Sequence, residues 1–374
     1  MLKFNNHHNV YILGAGFSAA RGLPLIKDFM LALRDAHPWL LEHGRSPEAK
    51  AVEHVLQYRL DSAPASYRVE IDLENIEELF SLSDTGRDIL SNDIRVAIAA
   101  TLDYKAAFSP EPMTTFNVTD KTHIPSSWNA HTGDGTNYSV PMYRFFVQAL
   151  LGAWTDFQST SAFVTFNYDC LVDDALQSLG HRVDYGIPKA GSADLEAKVS
   201  LRRAEHSLVK VLKLHGSVNW MRRSRAAALQ ILGGYADVMD KKGIPEIVPP
   251  TWRKLFAKEL VAVWKAALGE IEQATRIVIM GFSMPETDLH FKYLLASGLR
   301  RNVALREIVF VDPVREAIAA RARQLFGDLD RRPPVRIIES RVTRFINGGT
   351  LPETVFSIDR GIPQVIAGLQ HSVF

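Results

Sequence analysis

The 374-residue chain has a single cysteine, Cys170. One thiol can make neither an internal disulfide nor the cysteine cluster of a small zinc module, so a reducing compartment and no structural zinc are expected. Cys170 follows Asp169 in an apolar stretch, where a packing residue is the expected role rather than a nucleophile. Runs of about 18 apolar residues are missing, which argues against a membrane-spanning helix. The opening residues carry no apolar signal run either. Charge of one sign is also lacking: 43 Lys+Arg stand against 42 Asp+Glu, a net charge of +1. Such a chain has no global field for gathering nucleic acid or an anionic membrane. The local clusters Arg222-Arg223-Ser224-Arg225 and Arg331-Arg332 read as solvated loops. A soluble cytoplasmic protein is expected, with no direct nucleic-acid or membrane partner.

What is present is a core-forming composition, 47% hydrophobic and 23% charged. Residues 10–13 form a β-branched, apolar run closed by Gly14-Ala15-Gly16, and residues 18–34 follow with helical spacing. Strand, glycine turn and helix open a nucleotide-binding α/β unit. Strand-like runs return only at 162–165, 209–214, 277–280, 308–311 and 335–338, mostly separated by helical patterns. The fold class expected is α/β: a Rossmann-like parallel sheet flanked by helices, with a large, mainly helical insertion and no zinc module. As one domain of 1–374, its core takes about 8–34 and 160–345, the insertion about 35–158 and an irregular tail about 346–374. Helices are expected at 48–59, 73–82 and 143–154, and a long loop at 109–141.

Several strand ends carry polar groups, and in an open parallel sheet those ends line the ligand crevice. Gly14-Ala15-Gly16-Phe17-Ser18-Ala19 fits a G-x-G-x-x-A turn, in which backbone can approach a pyrophosphate at a helix N-terminus. A tight turn that binds nothing is the alternative. A dehydrogenase would need a second strand ending in an acidic residue about 20 positions on. Asp35 instead lies in a helical pattern that runs into Pro38, which weakens that reading. Thr165-Phe166-Asn167-Tyr168-Asp169 ends the next strand, where Asn167 and Asp169 are either ligand contacts or helix N-caps. In Leu214-His215-Gly216-Ser217 the imidazole suits proton transfer near neutrality, or is a satisfied core histidine. Gly281 and Ser283 follow the 277–280 run, and Asp312 ends the next strand as either a ribose contact or turn chemistry before Pro313.

In order along the chain, Gly14-Ala15-Gly16-Phe17-Ser18, Gly22-Leu23-Pro24, residues 165–169, His215-Gly216-Ser217, Gly281-Phe282-Ser283 and Asp312 resemble the sirtuin motif set. The resemblance implies that Gly14, Ala15, Gly16, Phe17 and Ser18 hold NAD, with Asn167 and Asp169 beside its nicotinamide ribose. It implies His215 as the catalytic histidine, and Gly281, Ser283 and Asp312 at the adenosine half. Two departures stand out. Residues 220–258 hold no cysteine where sirtuin deacetylases carry a zinc module, and Leu25-Ile26-Lys27-Asp28-Phe29 lacks the family's arginine after the Gly-x-Pro turn. The chain looks more like zinc-less sirtuin-like NAD hydrolases of bacterial antiphage systems, which the segment 75–81 also resembles. That resemblance implies assembly as a homo-oligomer and a partner such as a HerA-type ATPase.

The activity expected is hydrolysis of NAD to nicotinamide and ADP-ribose, linear or cyclic, with Asn167 and His215 catalytic and no metal ligand. An NAD- or ADP-ribose-sensing module and a protein deacetylase or ADP-ribosyltransferase are the alternatives.

Overall fold

Residues 8–85, 90–117, 131–132, 137–151, 160–188, 208–222, 228–251, 258–284, 288–327 and 333–346 are described by the computed structural model. The apolar runs become the strands of one parallel sheet: β1 (His8–Leu13), β2 (Thr160–Thr165), β3 (Arg182–Asp184), β4 (Leu208–Lys213), β5 (Arg276–Met280), β6 (Glu307–Asp312) and β7 (Val335–Glu339). Their spatial order is β7-β6-β5-β1-β2-β4-β3. Val10, Ile12, Leu13, Ile277, Val278 and Met280 have no measurable exposure, as expected of strands covered on both faces. From β1 the chain builds outward on one side with β2 to β4, then returns to the other side of β1 with β5 to β7. The reversal places a crevice at the carboxyl end of β1, between the turns that follow β2 and β5.

Between β1 and β2 the insertion supplies helices Phe29–Glu42, Ser46–Asp61, Ile76–Thr85 and Ser91–Phe108. Their apolar faces meet in a second core that contains Leu33, Leu40, Val52, Leu79, Phe80 and Ile98. This core is shared with a chain segment remote in sequence. Strands Gly216–Arg222, Gln230–Ile231 and Ile244–Ile247 form a small antiparallel sheet, and Val218, Met221, Leu232, Val238 and Ile247 bury themselves among the helices. Apolar burial against the helices holds this sheet in place. Among the described residues no group of three or more His, Cys, Asp or Glu could hold a metal.

Three sequence readings need correction. The helix expected over 18–34 is broken into Ala15–Ser18, the 3-10 turns Ala19–Arg21 and Ile26–Asp28, and a helix from Phe29. Gly22 in the left-handed conformation and Pro24 interrupt it. That last helix continues through Pro38 to Glu42, so Asp35 is helical, as the argument against a dehydrogenase required. The loop expected over 109–141 contains strands Met113–Asn117, His131–Thr132 and Asn137–Pro141, paired in an antiparallel sheet. Of the helix expected over 143–154, Met142–Leu150 is described; residues 152–159 lie outside the described residues, as do the tail from 347 and Arg331-Arg332. Arg222 is no solvated loop residue: it pairs with Glu246 at 3.0 Å and also with Glu259. None of the described helices is long and apolar enough to cross a membrane.

Candidate functional site

The glycine turn after β1 is locked to the turn after β5, backbone against backbone. Gly14 N–H donates to Met280 O at 3.0 Å, Gly16 N–H to Gly281 O at 2.8 Å, and Phe17 N–H to Gly14 O at 2.9 Å. A Cβ on Gly14 would lie 2.6 Å from Gly281 O, and one on Gly16 2.8 Å from Gly281 Cα. Gly281 has φ +58, and a Cβ there would overlap the backbone of Phe17 and Gly16. Close turn-to-turn packing therefore requires these glycines before any ligand is considered. Phe17 turns its ring into the core, 5.1 Å from Tyr143 and 5.5 Å from Phe146. Gly14 and Phe17 do not face the crevice; Ala15, Gly16 and Ser18 do.

A polar chain links this turn to the end of β2. Thr165 Oγ1 donates to Leu13 O at 3.2 Å and accepts from Asn167 N–H at 3.0 Å. Asn167 Nδ2 donates to Gly14 O at 2.9 Å and to Ser18 Oγ at 2.8 Å. Both amide hydrogens are thereby committed, and the carbonyl acceptor of Gly14 fixes which end of the amide is nitrogen. Ser18 Oγ in turn donates to Asp169 Oδ2 at 2.6 Å. Asp169 Oδ1 accepts from Leu171 N–H at 3.1 Å, a local turn contact two residues on; the N-cap of helix Leu171–Ser178 is Cys170, so Asp169 is not the cap that the sequence left open. Burial pushes the Asp169 carboxyl above its ordinary range, against the opposing pull of Lys213 and the Ser18 hydroxyl.

Beneath this chain lies a group that sequence reading missed. Lys213, the last residue of β4, is fully buried with Asp173, which is 2% exposed. Lys213 Nζ stands 3.2 Å from Asp173 Oδ2, and it donates to the Asp169 carbonyl oxygen. Burial works against the ammonium charge, but Asp173, Cys170 and Asp169 outweigh it and hold the Lys213 pKa above the ordinary lysine value. Cys170 is half-buried, with Sγ 3.8 Å from Ser217 Oγ and 3.9 Å from Lys213 Nζ. Burial pushes its thiol up to about 12, the behaviour of a packing residue.

His215 follows β4 and is 7% exposed, with its ring in an aromatic wall. Phe166 lies 5.3 Å away edge-on and Trp264 6.4 Å away, and Trp264 Nε1–H donates to Leu214 O at 2.8 Å. Phe166 and Phe282 stack at 4.6 Å with an interplanar angle of 2°, tying the end of β2 to the turn after β5. Gly216 has φ +80 and packs on the Glu246 carbonyl, so the chain turns directly after the imidazole.

At the other end of the crevice, Asp312 Oδ1 accepts from Val314 N–H at 2.8 Å, the turn chemistry expected before Pro313. Its Oδ2 takes no part in that turn. Burial raises the Asp312 carboxyl, while the Val314 N–H and Arg321 pull it down. Ser283 is exposed, and its carbonyl accepts from Arg321. Arg321, half-buried at the crevice, and Arg341 beside it were not singled out from the sequence.

One cleft of about 1150 Å³ joins these parts. Ala15, Gly16, Ser18, Asn167, Asp169, His215, Gly281, Ser283 and Asp312 all line it. Its opposite wall comes from the insertion, through Asp72, Glu74, Asn75 and Glu77. The cleft exceeds the roughly 300–1,000 Å³ of typical small-ligand pockets, which suits an extended ligand with polar groups at both ends.

Residues 161–328 match the model of a SIR2-like domain. The matched segment includes Asn167, Asp169, His215, Gly281, Ser283 and Asp312 and leaves out the turn at 14–18. Similar solved structures include one described as the structural basis for the mechanism and regulation of Sir2 enzymes, with 12% identity and a TM-score of 0.39, covering 92% of this chain and 90% of that chain. Another is a Sir2 homolog–NAD complex, with 13% identity, a TM-score of 0.38, and 92% and 88% of the two chains covered. A third is Sir2Tm bound to a propionylated peptide, with 13% identity, a TM-score of 0.37, and 91% and 90% covered. No curated protein matches.

Proposed function

We propose that this chain binds NAD along the cleft and hydrolyses its nicotinamide–ribose bond. The observation that carries the reading is the convergence of Asn167, Ser18, Asp169 and His215 at one end of a single cleft, with Asp312 at the other. An acceptor for a ribose diol at one end and an amide–imidazole pair at the other match the two sugars of a dinucleotide. On this reading the whole chain is one sirtuin-like domain with a core of about 8–34 and 160–345, an insertion of about 35–158, and a tail after 346.

The bond to be broken carries its own leaving group, since the cationic nicotinamide departs neutral with the bonding electron pair and positive charge develops on the ribose. The protein's part is to hold, orient and move a proton. Asn167, its nitrogen fixed by Gly14 and Ser18, offers its oxygen to a ribose hydroxyl or to the attacking water. His215 accepts the proton that water loses as its oxygen bonds to the anomeric carbon, and passes it to solvent. Asp169 keeps Ser18 and Asn167 in place and adds negative charge near the ribose. The products are nicotinamide and ADP-ribose, with one proton released. Phe166, Phe282 and Trp264 shield the imidazole from bulk water.

Chromatography of NAD incubated with the purified chain tests this: nicotinamide and ADP-ribose accumulate together. A sensing module is the second reading, favoured by the mutual saturation of Ser18, Asn167 Nδ2 and Asp169. A sensor would bind NAD in calorimetry and leave it intact. The proposal extends to an NAD-depleting role in an antiphage complex, with other copies of this chain and a HerA-type ATPase. Its support is the motif resemblance alone, and co-purification from the native host tests it.

A further inference from the structure

Asp169 also lines a second, smaller cavity, of about 290 Å³. The two spaces meet at a shared wall, since Leu23, Leu102 and Asp169 line both. The apolar side of the smaller one is a single face of helix Ser91–Phe108, where Ala99, Leu102 and Ala106 recur at three- and four-residue spacing. Leu23 and Val218, 6% and 8% exposed, continue that side. The two alanines leave room that longer side chains would fill.

Charged groups of both signs complete the lining: Arg21 and Arg144, with Glu111 and Asp174. Among the described residues none of these four side chains takes part in an ion pair or a hydrogen bond. Asp103, which also lines the cavity, is taken by Arg45 at 2.5 Å. Arg21 is the most constrained of the four. It ends the 3-10 turn Ala19–Arg21, and Gly22 follows at φ +81 with its N–H on Ala19 O at 3.0 Å. A Cβ on Gly22 would overlap Ser109 Oγ, so the backbone here has one course. On that fixed backbone the Arg21 guanidinium Nη1 is buried with no hydrogen-bond partner among the described residues. A buried donor left unpaired is costly, and an acceptor entering the cavity would relieve it.

We propose that this second cavity binds a small zwitterion of the free α-amino acid kind. Its carboxylate lies on Arg21 and Arg144, its ammonium at Glu111 and Asp174, and its apolar side chain against Leu102 and Val218. A plain anion would meet the two carboxylates and a plain cation the two guanidiniums, so a molecule carrying both charges is the one with no repelled end. Arginine suits the carboxylate because its planar fork donates paired N–H groups. The volume falls just below the roughly 300–1,000 Å³ of drug-sized ligand pockets, which suits a molecule as small as an amino acid. The inference goes beyond the NAD reading and does not depend on it.

The test is a thermal-shift and calorimetric survey of the standard L-amino acids against the full chain. An apolar one such as L-leucine should bind, raising the melting temperature by about 2 °C at tenfold excess over its Kd. Isocaproate and isoamylamine, which are leucine without its amine and without its carboxylate, should each bind at least about tenfold more weakly. Arg21→Gln and Glu111→Gln should each weaken L-leucine about tenfold. Both should leave the melting temperature of the unliganded chain unchanged, because neither side chain has a partner to lose. Ala106→Phe, which fills the cavity, should abolish binding. The proposal is overturned if no standard amino acid shifts the melting temperature. Binding that survives all three substitutions also overturns it, since the ligand then sits elsewhere. So does a fall in unliganded melting temperature that tracks the lost affinity in Arg21→Gln and Glu111→Gln, because that is a structural role. None of these readouts uses NAD, so they stand or fall apart from nicotinamide release.

Discussion

Replacing Lys213 by Met leaves the Asp173 carboxylate, 2% exposed, without its ion-pair partner. Breaking a buried pair in this way costs about 3–5 kcal/mol, because the remaining charge has neither water nor a counter-ion. At roughly 1.3 °C per kcal/mol for a chain of 374 residues, K213M should melt about 4–6 °C lower. Replacing both members, as K213M/D173L, fills the same space with apolar atoms and should return stability to within about 1 kcal/mol of the parent, or above it. Activity should not return with it, since Lys213 also anchors the Asp169 carbonyl under the Ser18–Asn167 chain. The pH dependence has a definite sign. The Lys213 pKa is raised in the folded state, so its contribution is complete below the unfolded lysine value of about 10.4 and is lost as pH rises through the folded value. Urea titrations at neutral and alkaline pH, with circular dichroism as the readout, measure both effects. A K213M chain within 1 kcal/mol of the parent at neutral pH, as an order-of-magnitude bound, would refute the reasoning.

Three further outcomes follow from the geometry. Gly281→Ala forces an L side chain into φ +58 and into the Phe17 backbone, so it should cost at least about 1–2 kcal/mol in thermal unfolding and weaken NAD binding as the two turns separate. Ser18→Ala removes the hydroxyl between Asn167 and Asp169; stability should fall by about 1–2 kcal/mol, and turnover by more than stability explains, as measured by urea titration and nicotinamide release. Asp312→Ala should weaken NAD by about tenfold, roughly 1.4 kcal/mol, yet leave nicotinamide mononucleotide unaffected, because that smaller compound has no adenosine half to reach Asp312; competition binding separates the two.

The central strands were legible because both faces are buried, which leaves near-continuous apolar runs such as those of β1 and β5. Their ends were legible because glycine, Asn167, His215 and Asp312 interrupt those runs at the edge where ligands gather. β3 escaped notice: it is a three-residue edge strand, Arg-Val-Asp, with no apolar run to betray it. The strands within 109–141 escaped because Thr, Asn and Pro compose them, and the pairing of Met113 with Pro141 is not a local signal. Lys213 was absorbed into an apolar run, although a lysine in a buried strand is itself a sign of an acidic partner. Only coordinates could show that Asp173, 40 residues upstream, is that partner. The glycines of 14–16 and 281 were read as ligand contacts, whereas the structure gives them a prior reason in each other's backbone. Phe166 and Phe282 looked like spacers between polar residues, and their stacking emerges only when β2 and β5 flank β1.

The most direct measurement follows nicotinamide release from NAD by the purified chain and by its Asn167→Ala and His215→Ala forms, each checked for an unchanged melting temperature. The account predicts release by the parent and a loss of about 100-fold or more in each variant, typical for a positioned acid–base group. Parent-like release from both folded variants would contradict it.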